Sequence, residues 1–432
     1  MKRRKFLMLL LSTAAAPYLF GNDSPAKIST NITVDKDKAG NSPTIIQIHL
    51  YGGPTELPGN LTNLDEITNK SFKDYPLNRF TKTSDEFWEE AGGDSIQEMV
   101  DNGDATIFRT CNPKVVPGRS HGQHVSANLR GTDRAGAPGI AANIAYLYGK
   151  NNVFSDSVIL PFVTMEGEST FFSKGDLVVP SYLTEFPIGE NLDNPYAMKK
   201  LSETTIEEYT ALSVLGLQNS REGKIKENAK QAVVTSELVE EIKTKSENLP
   251  EGIVYPNTSF GRKIRTAMNL AIHNTDTKII SMGSNGLGGF DDHSNGVNAA
   301  IEKFSNLFES IKVAIDHAKA LGRDNIIIQV FGDFGRNVNL NGSLGWDHGS
   351  NQVFYMFGGT KLLNHKGVVG TTKVDGDGAF NRMFLVPTDD SYQFDPLSIA
   401  ATTYYLLGIN DPLNELTAKQ APINPDGNFL KL

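Results

Sequence analysis

The chain has 432 residues and a formal net charge of −9, with an isoelectric point near 5.5, so it can bury one large core or two smaller ones. Its acidic balance, with no lysine- or arginine-rich face beyond the extreme N-terminus, excludes a nucleic-acid partner and leaves a small molecule or a polymer. The single cysteine, Cys111, excludes an intramolecular disulfide, an iron–sulfur cluster and a thiolate zinc site.

The chain opens on Met1-Lys2-Arg3-Arg4-Lys5-Phe6-Leu7, then an apolar run to Leu11 and the small residues Ala14, Ala15 and Ala16. Adjacent arginines before a short apolar run predict a twin-arginine signal peptide over 1–21, and a mature protein that is periplasmic or secreted. A retained anchor helix is the other reading, since Pro17 interrupts the cleavage region. No later apolar run reaches the roughly 20 residues a spanning helix needs. Residues 22–42, rich in Asn, Asp, Lys, Ser and Thr, read as an unpacked linker, and one folded domain is expected over 43–432.

Thr44 to Leu50 is a β-branched run ended by Tyr51-Gly52-Gly53-Pro54, the pattern of a central strand breaking into a loop. A helix is predicted over 94–100 and a strand over 105–110, then a helix over 140–148 and a strand over 157–163. Residues 166–256 weaken to loops and charged helical stretches, notably 220–246, and read as an insertion. The alternation resumes with a helix over 261–272, a strand over 278–282, a helix over 297–321 and strands over 325–331 and 352–357. A last helix over 396–407 starts on Pro396 and stops at Gly408, as helix termini prefer. Strands separated by helices predict an α/β fold: a doubly wound, mostly parallel sheet covered on both faces.

Chemistry concentrates in the loops after these strands. Gly288-Gly289-Phe290-Asp291-Asp292-His293 follows the strand over 278–282, and Asp-x-His can put two ligands on one ion while glycine lets backbone approach closely. The plainer reading is that Asp291 or Asp292 caps the next helix. Asp333 follows the strand over 325–331, with Arg336 three residues on. The pair suits a metal ligand and an anion clamp, or a buried ion pair that holds the loop. Asp347-His348, between Gly345 and Gly349, offers an imidazole and a carboxylate that is a second ligand or fixes a ring tautomer. Upstream, Arg119-Ser120-His121-Gly122-Gln123-His124 opens a helix. Ser120 there faces unpaired amides and can attack or hold an oxyanion, or simply cap the helix. His121 and His124 are candidate bases or ligands, or surface neighbours one turn apart.

The order of these motifs, from the twin-arginine leader through Gly-Gly, Arg-Ser-His, Gly-Gly-Phe-Asp-x-His and Phe-Gly-Arg to Asp-His-Gly, resembles the DUF1501 family of exported proteins. That family is related to the alkaline phosphatase and sulfatase superfamily, and the resemblance runs from Thr44 to about Gly408. It implies an alkaline-phosphatase-like sheet with a helical insertion, and a divalent metal, zinc foremost, with manganese and calcium open. It implies Asp291, His293, Asp333 and His348 as ligands and Ser120 as nucleophile. Arg336 or Arg119 would steady the anion and His124 would assist catalysis. Two departures matter. The superfamily's first strand normally supplies an aspartate, where this chain has Gly52-Gly53-Pro54-Thr55-Glu56, and its Asp-His pair is here Asp333-Phe334. One metal of a pair thus lacks ligands, and the remaining four suffice for a single ion.

The expected function is an exported, metal-dependent hydrolase of small or polymeric phosphate esters. Sulfate esters come second, because neither Cys111-Asn112-Pro113-Lys114-Val115 nor the neighbours of Ser120 match the sulfatase motif. The alternative is a non-catalytic envelope or secreted binding protein with a degenerate site. A redox role lacks both cysteine pairs and a dinucleotide fingerprint.

Overall fold

The computed structural model describes residues 32–189, 224–376, 382–410 and 416–431. Residues 1–21, expected as a signal peptide, and 190–223, part of the expected insertion, lie outside the described residues. The strands of the central sheet and of the region after it are, in chain order, β1 (Thr44–Leu50), β2 (Ala105–Cys111), β3 (Phe162–Thr164), β4 (Phe186–Pro187), β5 (Ile279–Ser281), β6 (Ile326–Gly332), β7 (Arg336–Leu340), β8 (Trp346–His348), β9 (Gln352–Gly358) and β10 (Gly367–Val369); two short antiparallel pairs, Thr33–Val34 with Ile409–Asn410 and Thr372–Asp375 with Phe384–Pro387, stand apart. Eight of the ten numbered strands form one sheet in the order β10-β2-β9-β6-β1-β5-β3-β4. β9 pairs antiparallel with both of its neighbours, and every other pairing is parallel. The fold is therefore α/β with a mostly parallel sheet.

The longer helices are α1 (Gly93–Asp101), α2 (His121–Arg130), α3 (Ile140–Lys150), α4 (Lys224–Ser246), α5 (Ser259–His273), α6 (Gly296–Ala320) and α7 (Leu397–Leu406), beside the short helices Lys36–Gly40 and Leu64–Lys70. Strand side chains alternate between two cores, because successive residues point to opposite faces. Ile46, Ile48, Leu50, Ile328 and Val330 pack with side chains of α1, α5 and α6 on one face. Ile45, Ile327 and Phe331 pack with α2, α3 and α7 on the other. On α6, Phe304, Leu307, Phe308 and Ile311 are fully buried at the spacing of one helix face, each burial contributing about 1.5–3 kcal/mol.

Three expectations meet a different structure. The strand expected over 157–163 begins only at Phe162: Pro161 has no N–H for a ladder and Leu160 has φ +51°. Residues 32–42, expected as an unpacked linker, are packed. Thr33–Val34 pairs antiparallel with Ile409–Asn410, Ala39 is buried in the helix Lys36–Gly40, and Lys278 Nζ donates to the Gly40 carbonyl at 3.1 Å. The region between Asp333 and Gln352, read as loop, holds the antiparallel pair β7 and β8.

Parallel direction gathers the ends of β1, β2, β5 and β6 at one edge of the sheet, and antiparallel β9 starts there. The segments 51–56, 112–121, 282–295 and 333–351 therefore converge on the carboxyl edge, where open α/β sheets build their sites. The stretch over 32–43 enters at the opposite, amino edge. Among the described residues no helix is long and apolar enough to cross a membrane.

Candidate metal centre

A chain of polar contacts starts inside the sheet. His49, the penultimate residue of β1, is buried, and its Nε2 lies 2.8 Å from Asp333 Oδ1. Asp333 Oδ2 accepts from the Gly52 N–H at 3.0 Å and meets His121 Nδ1 at 2.8 Å. A carboxylate only accepts, so His121 carries its proton on Nδ1 and turns the Nε2 lone pair outward. That nitrogen lies 3.0 Å from His348 Nε2 and 3.4 Å from Asp291 Oδ1, and His348 Nε2 lies 3.7 Å from the same oxygen. His348 Nδ1 donates to the Arg119 carbonyl at 2.9 Å, which leaves its Nε2 with a lone pair as well.

His121, Asp291 and His348 thus aim ligand atoms at one another, all within 4.8 Å. Two imidazole lone pairs 3.0 Å apart repel unless a cation lies between them or one ring takes an extra proton. Donors on a tetrahedral ion at about 2.0–2.2 Å sit roughly 3.3–3.6 Å from each other, close to the separations seen. The residues fit a divalent cation.

His293 stands at the margin of this trio. Its Nδ1 donates to Asp347 Oδ1 at 2.8 Å, and its Nε2 is 3.0 Å from Asp291 Oδ1 and 3.3 Å from Arg336 Nη1. Electrostatics keep the ligating forms. Burial alone would raise the Asp291 carboxyl, yet the hydrogen bond and charge of Arg336, with His293 and His121, hold it below the usual carboxylate range. Burial likewise opposes ionisation of Asp333, and its bonds to His49, His121 and the Gly52 N–H win. Burial holds the His348 imidazole below its ordinary value, helped by the charges of Arg336, His121 and His293, against the pull of the Arg119 carbonyl.

Arg336 is buried, and every N–H of its guanidinium faces an acceptor. Nε donates to the Gly53 carbonyl at 2.7 Å. Nη1 faces the Trp346 carbonyl at 3.2 Å and His293. Nη2 faces the carbonyls of Gly52 and Phe290 and, at 2.5 Å, Asp291 Oδ1. Arg336 therefore has no N–H to offer an ester oxygen, which corrects the expectation of an anion clamp. Its ion pair is with Asp291, not Asp333. Gly52 makes the approach possible: at φ +104°, a Cβ there would lie 2.5 Å from Asp291 N.

Below this hub, Glu56 Oε2 accepts from the Arg336 backbone N–H at 3.0 Å, while Oε1 is buried without a partner. Burial pushes the Glu56 carboxyl up to about 8, against the pull of backbone N–H groups and the Arg336 charge. An acid whose value rises on folding stabilises the fold fully below its unfolded value, and that contribution is lost as pH climbs through the folded one. The window here runs from about 4.5 to about 8. Glu56→Gln stays neutral throughout, so the wild-type melting temperature is expected to fall relative to the variant's between about pH 5 and pH 8. Parallel melting curves across that range would refute it.

The other expected residues sort as follows. Ser120 is exposed at the N-cap of α2, and its side chain makes no capping bond. Arg119 lays its guanidinium 4.3 Å over the Phe384 ring and has no carboxylate partner among the described residues. His124 is buried against Phe334 with Nε2 2.6 Å from the Gly118 carbonyl, so it braces the loop before Ser120. Asp333 has both oxygens engaged and supports His121 from behind, instead of joining the trio. Asp347 does orient an imidazole, that of His293 and not its neighbour His348. Neither Asp291 nor Asp292 caps α6, whose N-cap is Asn295; Asp292 pairs with Lys303 at 2.5 Å. Sequence reasoning missed His49, whose signal was an imidazole inside a buried strand two residues before the loop, and left His121 among several alternatives.

No protein-family model matches the chain, and no curated protein matches it. Among solved structures, it is similar to the alkaline phosphatase from the Antarctic bacterium TAB5 (TM-score 0.38, 11% identity, covering 86% of this chain and 99% of that one). It is also similar to a protein in the alkaline phosphatase superfamily from Vibrio parahaemolyticus (TM-score 0.37, 11% identity, 99% and 81% covered). A third is the C-terminal periplasmic domain of EcEptC from Escherichia coli (TM-score 0.36, 11% identity, 91% and 89% covered). Likeness of this degree carries no inference about activity. The functional reading rests on the side chains.

Proposed function

We propose that this chain is an exported, metal-dependent hydrolase of phosphate esters, with sulfate esters as the poorer class. One observation carries the reading: the ligand atoms of His121, Asp291 and His348 converge beside the open N-terminus of α2, where Ser120 stands with an unengaged hydroxyl. The motif order that resembles the DUF1501 family supports it from the sequence side. His121, Asp291 and His348 would hold the ion, with His293 at its margin and Asp333 fixing the His121 ring. A bound divalent ion supplies Lewis acidity that polarises the ester.

The chain's own residues do the rest. The amides of His121 and Gly122, at the start of α2, lack intrahelical acceptors and face the anion, while that of Gln123 donates to the Ser120 carbonyl. Arg119, the other of the two arginines expected to steady the anion, is braced on Phe384 and offers its N–H fork to the non-bridging oxygens. Ser120 Oγ attacks phosphorus, its proton passing to solvent. The new Oγ–P bond forms as the bond to the alcohol oxygen breaks, and that oxygen takes up a proton. Water then attacks the same phosphorus, releasing phosphate and restoring the hydroxyl.

Purified protein assayed for metal and with aryl phosphate and sulfate esters tests this. Ser120→Ala is expected to lower turnover by roughly 10³-fold or more while metal content stays unchanged. The second reading, a binding protein without turnover, is favoured by one feature: Ser120 Oγ has no hydrogen-bonded base among the described residues. Stoichiometric phosphate binding, with no Ser120-dependent turnover, would decide for it.

A further inference from the structure

Arg336 gathers around one buried positive charge the kind of donor set that a hard or borderline cation collects. Four backbone carbonyls, those of Gly52, Gly53, Phe290 and Trp346, come from three separate segments of the carboxyl edge. To these are added a carboxylate oxygen of Asp291 and a ring nitrogen of His293. Asp291 Oδ1 is shared. On one side it meets the guanidinium at 2.5 Å; on the other it faces the Nε2 atoms of His293, His121 and His348 at 3.0, 3.4 and 3.7 Å. The oxygen thus lies between a cation the chain already contains and the place prepared for another.

We infer that the Arg336 guanidinium is the second cation of this centre, built into the chain, and that the centre accordingly takes a single divalent ion. The inference rests on the hydrolase reading only for the position of that ion. Charge balance argues for it. Asp291, Asp333 and Asp347 bring three negative charges, and the guanidinium with one divalent ion neutralises all three when the imidazoles are neutral. Glu56, behind Arg336, is held in its uncharged form by burial at neutral pH. A second divalent ion would leave two positive charges uncompensated, within a few ångströms of a fixed guanidinium, where repulsion is strongest. The remaining carboxylates are engaged: Asp333 with His49, His121 and the Gly52 N–H, Asp347 with His293 and Asn341.

The test counts ions and melts protein, with zinc as the probe and no assay of turnover. The full chain, titrated and analysed by native mass spectrometry, is expected to hold one zinc, and its melting temperature to stop rising after the first equivalent. Arg336→Ala is expected to take two and to regain part of its lost melting temperature with the second equivalent. Arg336→Lys, which keeps the charge, stays at one. Two ions on the wild-type chain would overturn the built-in cation and leave a hydrolase standing if Ser120-dependent turnover persists. No ion at all would overturn both. An Arg336→Ala chain that no added zinc stabilises also counts against the inference.

Discussion

Arg336→Ala is expected to destabilise the protein by about 3–5 kcal/mol, mostly because its buried carbonyl acceptors lose their donor; Asp291 is half-exposed, so the ion pair itself adds little. The loss combines two effects. Carbonyls of Gly52, Gly53, Phe290 and Trp346 lose their donor inside the fold, and each unsatisfied buried group costs about 1–3 kcal/mol, less where water enters the vacated space. Asp291 loses the charge that holds its carboxyl low. Arg336→Lys should recover only part, because an ammonium has three donors on one nitrogen where the guanidinium spreads five across a planar fork. Denaturant midpoints measured in chelator would show the order wild type, lysine, alanine. An alanine variant within about 1 kcal/mol of wild type would mean that the loops are held by something other than this side chain.

Asp333→Asn should weaken divalent-metal affinity by roughly 10–100-fold, the usual effect of removing a carboxylate behind a ligating histidine. The substitution is almost isosteric, but an amide has one acceptor oxygen where the carboxylate has two. Its NH₂ must then face either His49 Nε2 or His121 Nδ1, both of which donate in the wild-type arrangement. His121 loses its fixed tautomer, and the lone pair aimed at His348 and Asp291 is no longer guaranteed. Competition against a chelator of known affinity reads the change directly. Unchanged affinity would show that His121 is not a ligand, and the ion would have to be sought around His293. A Ser120→Ala control, with its ligands intact, should bind metal like wild type.

The sequence made the sheet legible where runs such as Thr44–Leu50 and Ile326–Gly332 are β-branched and bounded by glycine, since a strand buried on both faces leaves that mark. The long helices were legible from their apolar faces and their stops. Asp291 and His348 could be placed at the site because glycine-rich loops after strands advertise themselves. The rest depended on partners far apart in the chain. Nothing local tells that Asp333 reaches back to His49 and His121, that Arg336 pairs with Asp291, or that Asp347 orients His293. His49 in a strand looks like any satisfied core histidine. The direction of β9 carries no periodic signature, because parallel and antiparallel strands share the same alternation. β7 escaped notice because Asn337 and Asn339 are buried polar residues, which a hydrophobic pattern reads as loop.

The stretch Thr33–Val34 is stitched to Ile409–Asn410 at the amino edge of the sheet, with the seven residues of β1, roughly 23 Å of extended chain, between it and the histidines. Anything joined ahead of residue 32, whether an affinity handle, a solid support or a lipid surface, would therefore meet the molecule on its far side. Immobilised that way, the protein would turn the edge that carries His121, Asp291 and His348 toward the surrounding liquid, and bulky polymers could reach it without steric hindrance from the support.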